Sequence, residues 1–278
     1  MSKHESRYVR VARIAYALTQ RVLPRYSHPK SPHRYTQRQL AACVLLMFYF
    51  NRSYRDFEEW LLATDQVCAV LGLQEIPDHS TLCRMFKRIG MAMLQSLQRR
   101  LLNTLAPHER FIAGDSTGYR TSNASAYFQT RSGKQFRAWF KGAYAVGTES
   151  QLILAAQEAH GGSPSDVQFF ESLHRQAMRY GTTDWIFLAD AGFDCRGVTD
   201  RDLIPPIRRY GKLTAPERQA RADMIAQARL DGLFGQRWKV ETVHSVIKRK
   251  FGDTIRSRSI ALQSREPIVK ALIYNIHR

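Results

Sequence analysis

The chain is poor in several features that would point its chemistry elsewhere. Cysteine is scarce, with only Cys43, Cys68, Cys83 and Cys195 in 278 residues. None forms a C-x-x-C pair and their spacings match no zinc site, so the four are expected to be reduced, mostly buried thiols of a cytosolic protein. Long apolar runs are missing. The longest, residues 40–50, has 11 residues, where a bilayer span needs about 20, so it reads as a core helix. Residues 1–13 are charged throughout and no secretory signal is expected. There is no internal repeat and no low-complexity tract. Acids are few: 24 Asp and Glu stand against 42 Lys and Arg, a net charge of +18.

What is present suits a globular protein that handles polyanions. The chain is 44% hydrophobic and 24% charged, enough to bury a core. A surplus of positive charge attracts nucleic acid first among polyanions, ahead of the alternative of a basic but neutral surface. The charge is clustered. Residues 1–38 carry nine Lys/Arg and one acid, Glu5, and residues 237–258 carry seven Lys/Arg against Glu241 and Asp253. Two basic ends can grip an extended polymer at two places.

Residues 1–106 read as helical. Ser53 and Asp56 predict a helix through Leu62. Thr64 predicts a second that stops at Gly72, and Asp78 a third that runs to Gly90. The third places Leu82, Phe86 and Ile89 on one face and Thr81, Arg84 and Arg88 on another. A basic, hydroxyl-rich helix after a turn suits a helix-turn-helix DNA reader, and equally a helical bundle with a solvated basic face; spacing alone does not choose.

The character changes near residue 107. Residues 111–115 read as a strand ending in Asp115, residues 135–146 and 152–158 as two more strands with a turn at 147–150, and residues 166–179 as a helix that stops at Gly181. Residues 185–189 are a continuous apolar run, expected of a strand buried on both faces and ending in Asp190. Residues 203–207 read as a short fifth strand. Three sequential strands followed by alternating units predict a mixed sheet with helices packed on it.

Asp115 and Asp190 thus follow strands expected in the middle of the sheet, where ligands gather. Buried carboxylates side by side repel, and a hard divalent ion relieves that repulsion. A third acid lies on a helix. At about 100° per residue, Arg237 sits at roughly 0°, Glu241 at 40°, His244 at 340° and Lys248 at 20°, while Val240, Val243, Ile247 and Phe251 fall in a separate stripe at roughly 240–320°. Arg237 and Glu241 alone are an ordinary i, i+4 surface pair. Of the remaining candidates, Asp166, Asp184, Asp194 and Asp200 are expected at helix starts or in loops. His244 is expected at the solvated surface, with contact to metal or DNA as the alternative. Trp139 and Trp238 are expected in the core, with base stacking as the alternative.

Taken together, Asp115-Ser116-Thr117, Asp190-Ala191-Gly192-Phe193 and Arg237-x3-Glu241-x6-Lys248 resemble the DDE transposases of prokaryotic insertion sequences. The closest group is the superfamily with Y-x2-R-x3-E-x6-K around its third acid (the IS-four and IS-five type). The first position of that motif is Phe234 here, which loses a hydroxyl and keeps a ring. Residues 76–84 resemble a segment common in the N-terminal regions of this group, and residues 268–276 with Asn275 its closing helix.

The resemblance implies an α/β fold: an RNase H-like mixed sheet flanked by helices, in a catalytic domain over residues 107–278. An all-helical N-terminal DNA-binding or dimerisation domain over residues 1–106 would precede it. Only 50 residues separate Asp190 from Glu241, so any insertion there is small. The implied activity is metal-dependent cleavage at transposon ends followed by strand transfer into target DNA, in the cytoplasm, by a homodimer on DNA. Asp115 is expected to bridge two Mg²⁺ ions, with Mn²⁺ able to substitute. Asp190 would hold one ion and Glu241 the other. Arg237 and Lys248 would steady the DNA backbone, with Arg84 and Arg88 as further DNA contacts and Thr117, Phe234 and His244 as supporting residues. The rival readings are an RNase H-like nuclease without strand transfer and a domesticated, non-catalytic DNA-binding protein.

Overall fold

The computed structural model describes residues 5–30, 32–121, 131, 139–160, 165–208, 213 and 215–278. The chain forms two compact units: Met1–Leu105 with Lys250–Gly252 and Leu272–Arg278, and Ala106–Arg249 with Asp253–Ala271.

The first unit is helical: α1 (Arg7–Val22), α2 (Gln37–Tyr49), α3 (Tyr54–Leu62), α4 (Asp65–Leu71), α5 (His79–Arg88) and α6 (Met91–Leu105). The apolar run at residues 40–50 lies almost wholly in α2, where every residue from Leu40 to Met47 is buried, so the expected core helix is found. A capping box between Thr36 and Gln39 starts it. Ser53 caps α3 by accepting from the Asp56 amide at 3.2 Å. Asp78 caps α5 by accepting from the Ser80 and Thr81 amides at 2.8 and 3.0 Å. Gly72 ends α4 in the left-handed region (φ 65°), which a residue with a β-carbon enters only at a cost. Thr64 precedes α4 without capping it: its hydroxyl donates back to the Trp60 carbonyl at 2.6 Å. Residues 72–78 between α4 and α5 are longer than the turn of about three or four residues in a helix-turn-helix motif, which favours the bundle reading.

The second unit is built on a five-stranded sheet in the order β3-β2-β1-β4-β5. The strands are β1 (Glu109–Arg120), β2 (Trp139–Gly147), β3 (Ile153–His160), β4 (Gly181–Leu188) and β5 (Asp202–Leu203). The first three run as an antiparallel meander, and β4 and β5 join parallel. Residues 135–138, read as the start of β2, lie outside the described residues. The fifth strand is shorter than predicted, because Pro205 and Pro206 have no N–H to extend a ladder. After β3 comes α7 (Val167–Ala177), and after β5 come α8 (Pro216–Leu230), α9 (Trp238–Phe251), α10 (Ile260–Gln263) and α11 (Arg265–His277).

Strand alternation assigns the helices to faces. Phe187 faces α7, with its ring 5.9 Å from that of Phe170. Leu188 and Leu203 on the other face pack with Ile225 and Ala228 of α8, and Phe111, Ile186, Leu233 and Phe234 close around them. A mixed sheet covered by helices on both faces is the expected RNase H-like architecture.

One expectation needs correction. Asp115 does not end its strand, since β1 continues to Arg120 because β2 pairs with it as far as Arg120↔Trp139. The parallel partner does stop: β4 pairs no further than Ala113↔Leu188. Asp115 therefore stands two residues past the last position at which β1 pairs with β4.

Candidate active site

Three elements of the second unit carry the acids. Asp115 lies on β1. Asp190 follows β4 by two residues and caps a short 3₁₀ turn (Ala191–Phe193), its Oδ1 accepting from the Gly192 amide at 2.9 Å. Glu241 lies in the first turn of α9. That helix docks through the predicted stripe, with Val240, Val243, Ile247 and Phe251 all buried.

The charges meet at Asp115. Its side chain is only 19% exposed, and burial pushes its carboxyl up to about 6; the Ser116 amide and Arg237 pull it down, while the negative charges of Asp190 and Glu241 push it further up. Asp115 in turn supports the charge of Lys248, whose pKa burial lowers. Asp115, Asp190, Glu241, Arg237 and Lys248 thus act on one neighbourhood. Arg237, at the end of a 3₁₀ turn (Phe234–Arg237), donates to Glu241 at 2.7 Å. Glu241 is exposed, as expected of the surface pair.

His244 corrects the solvated-surface expectation. It is 8% exposed, its ring lies 5.5 Å from that of Tyr144 on β2, and its Nδ1 is 3.6 Å from Asp115 Oδ2, too long for a hydrogen bond. Burial, with Lys248 nearby, pushes its pKa down to about 3, so it is neutral at ordinary pH. Its buried Nε2 has no hydrogen-bond partner among the described residues. The reason is geometric: His244 falls only about 20° beyond the apolar stripe on the helical wheel, and Tyr144 extends the covered arc to it. Tyr144 is itself fixed by Tyr119 Oη at 2.7 Å and by donation to the Pro267 carbonyl at 3.1 Å.

Trp139 and Trp238 are 44% and 55% exposed, against the core expectation. Trp238 lies at about 100° on the same wheel, across the helix from the stripe that docks. Trp139 opens β2, whose next residue, Phe140, is the buried one. Phe234 keeps the ring packing expected of its position, against Leu188, Leu203, Ile225 and Ala228. Thr117 is buried on the Asp115 face of β1, but the hydrogen bond to Asp115 Oδ1 comes from the Ser116 amide at 2.8 Å. Arg84 and Arg88 belong to the helical unit, exposed on α5.

Of the acids expected at helix starts or in loops, Asp200 is exposed in a loop and Asp194 is gripped there by Arg218 and Arg221. Asp184 departs from that reading, lying within β4 and pairing with Arg110 at 3.3 Å. Asp166 does precede α7, but without capping it: Lys141 of β2 takes its carboxylate at 2.8 Å. A β-carbon at Gly192 would lie 2.9 Å from both Asp166 Oδ2 and Asp190 Oδ1. The Lys141–Asp166 pair therefore packs against the turn that holds Asp190, and a β-carbon at residue 192 would make one or both carboxylates shift. Sequence reading missed this pair; the glycine of Asp-x-Gly-Phe was its one signal.

Three carboxylates against two retained cations leave an anionic neighbourhood whose oxygen donors fit a hard divalent ion. Among the described residues, no three His, Cys, Asp or Glu side chains are gathered tightly enough to hold a metal ion as they stand. Glu241 is turned to Arg237 instead.

Among the described residues no helix is long and apolar enough to cross a membrane. No curated protein matches the chain. Residues 106–276, more than half of it, match the family model described as Transposase DDE domain.

Proposed function

The chain belongs to the transposase DDE domain family, and from that premise we propose that it cuts the ends of a mobile DNA element and joins them to target DNA. The supporting observation is the burial of Asp115 on β1 within reach of the negative charges of Asp190 and Glu241, which come from two other elements. A carboxylate so placed is costly unless a cation joins it.

Asp115, Asp190 and Glu241 would hold the divalent cations, with Mg²⁺ as the natural ion and Mn²⁺ a substitute. When bound, the ions supply neutralisation of phosphate charge and activation of the attacking oxygen. The chain's own residues do the rest. Arg237 releases Glu241 and turns its planar guanidinium to a phosphate, and Lys248 adds a point charge beside Asp115. Neutral His244 and the Tyr144–Tyr119 pair back the Asp115 face of β1 and keep bulk water from it. The wider IS-four and IS-five grouping rests on the third motif, with Phe234 at its first position. Two protomers acting together on the two ends of the element, in the cytoplasm, complete the reading.

The test uses the inverted repeats flanking the gene. Duplexes with pre-cut ends, incubated with the protein, Mg²⁺ and a target plasmid, are expected to yield joined products on a gel. Cleavage of uncut ends with no joining would establish a nuclease instead, and DNA binding with neither reaction a non-catalytic protein.

Gly192→Ala tests the packing around Asp190. The new methyl group meets two carboxylates, one held by Lys141 and one by the amide of residue 192 itself. Displacing Asp190 by a fraction of an ångström is expected to lower Mg²⁺-dependent cleavage roughly tenfold, with the far-ultraviolet circular dichroism spectrum unchanged.

A further inference from the structure

The ion pair between Lys141 and Asp166 belongs to no motif of the reaction, yet it stands against the turn of one of the three acids. Lys141 lies three positions along β2 from Tyr144, whose ring meets His244 near Asp115, so strand alternation turns it to the opposite face of the sheet. Asp166 reaches it from the residue before α7. The two meet at 2.8 Å through Asp166 Oδ1, and their side chains are only 24% and 18% exposed.

The second oxygen, Asp166 Oδ2, is turned to Gly192. It lies 2.9 Å from where a β-carbon of residue 192 would stand, and Asp190 Oδ1 lies 2.9 Å from that same point. The two oxygens are therefore no more than about 6 Å apart, within the range over which one charge acts strongly on another. The turn between them is fixed at both ends. Asp190 Oδ1 accepts from the Gly192 amide at 2.9 Å, and Phe193 is fully buried. Asp194 is gripped by Arg218 and Arg221 of α8 and accepts from the Ile207 amide at 2.8 Å. A carboxylate is a costly neighbour for another carboxylate, and an apolar side chain would fill the same space without repulsion. Among the described residues Asp166 does not complete a group of three metal ligands. What it supplies is charge: the pair presents its negative end to Asp190, and Lys141 makes the extra acid tolerable in a half-buried place.

We propose that Asp166 is a positioning residue for Asp190: its carboxylate, restrained by Lys141, braces the Gly192 turn and adds negative potential that strengthens cation binding at Asp190. The inference rests on Asp190 being a cation ligand. It implies opposite effects at the two ends of one ion pair, which a purely structural brace would not give. Removing the charge of Asp166 weakens the cation site, whereas removing that of Lys141 leaves Asp166 uncompensated and strengthens it.

The experiment measures binding of Mn²⁺ alone, without DNA, from the loss of the free-ion electron paramagnetic resonance signal. It compares the wild type with Asp166→Asn, Lys141→Met, the double variant Asp166→Asn/Lys141→Met, Asp190→Asn and Glu171→Gln. The last removes an acid from α7 that is 88% exposed. Asp166→Asn is expected to raise the dissociation constant roughly tenfold, and Lys141→Met to lower it roughly threefold. The double variant should follow Asp166→Asn, because Lys141 acts only through that acid. It also carries the test if an uncompensated Asp166 keeps Lys141→Met from folding, since a double variant much weaker than Asp166→Asn would overturn the proposal. Glu171→Gln should match the wild type, and Asp190→Asn should lose the site. The Mg²⁺ midpoint of end cleavage should move in the same directions as the Mn²⁺ affinities. Weaker binding in both single variants would mark the pair as a structural brace and overturn the proposal. So would wild-type affinity in Asp166→Asn while Asp190→Asn loses binding, with Asp190 still a ligand. Wild-type affinity in Asp190→Asn, or no Mn²⁺ binding by the wild type, would remove both the ligand reading and the inference built on it.

Discussion

Asp115→Asn, Asp190→Asn and Glu241→Gln are each expected to lower Mg²⁺-dependent DNA cleavage by roughly three orders of magnitude or more, about 4 kcal/mol of barrier apiece. Each replacement keeps the side chain's shape and removes its charge, so the loss reports electrostatics and not packing. If the three act as one centre, a double variant should be scarcely worse than a single one, because the remaining acids cannot hold the ions productively. DNA binding measured without metal should persist in all three. The measurement is single-turnover cleavage of a labelled end over a Mg²⁺ series. Wild-type cleavage by any one of the three would remove that residue from the centre, and wild-type cleavage by all would end the reading.

A second large effect concerns stability, with the sign set by burial. Asp115 is pushed up from the ordinary value of 3.8 to about 6 in the folded chain. The native state therefore holds this proton more tightly than the unfolded state does. Stability from this group is full below about pH 4, falls as pH rises through 4 to 6, and stays reduced above 6. The shift corresponds to roughly 2–3 kcal/mol at neutral pH. Asp115→Asn never carries the charge, so without metal it is expected to melt several degrees above the wild type at pH 7.5 and alongside it at pH 3.5. Mg²⁺ should raise the wild-type melting temperature and leave the variant's almost unmoved, closing the gap. Scanning calorimetry at both pH values with and without Mg²⁺ reads this directly. A variant that melts below the wild type at pH 7.5 would mean that Asp115 stabilises the fold and is not a strained ligand. The cost of holding a bare carboxylate under two others is the usual signature of a site built for a cation.

Much of the site could be read from residue order, for reasons that lie in local physics. The residues before Asp115 and the continuous apolar run before Asp190 mark strands, and those strands did form next to each other. The spacing of Val240, Val243, Ile247 and Phe251 marks the docking stripe of α9, and all four are buried. Cap chemistry at Ser53 and Asp78 located helix starts to the residue. What escaped is what depends on a neighbour distant in sequence. The extension of β1 past Asp115 follows from pairing with β2, a partner that periodicity within β1 does not reveal. The Lys141–Asp166 pair joins β2 to the start of α7 and has no spacing of its own.

The sequence by itself determined the kind of each element, the order in which the acids follow one another, and the excess of positive charge, because these depend on turn chemistry, side-chain periodicity and composition. Only the tertiary structure decided how wide an arc of α9 is covered, and so that His244 is buried and neutral while Trp238 is exposed. Helical periodicity says which side chains share a face; burial, and with it the charge a group can carry, depends on what packs against that face. For Asp115 that surrounding consists of Tyr144 and His244 on one side and the charges of Asp190 and Glu241 on the other, brought in by β2, α9 and the exit of β4.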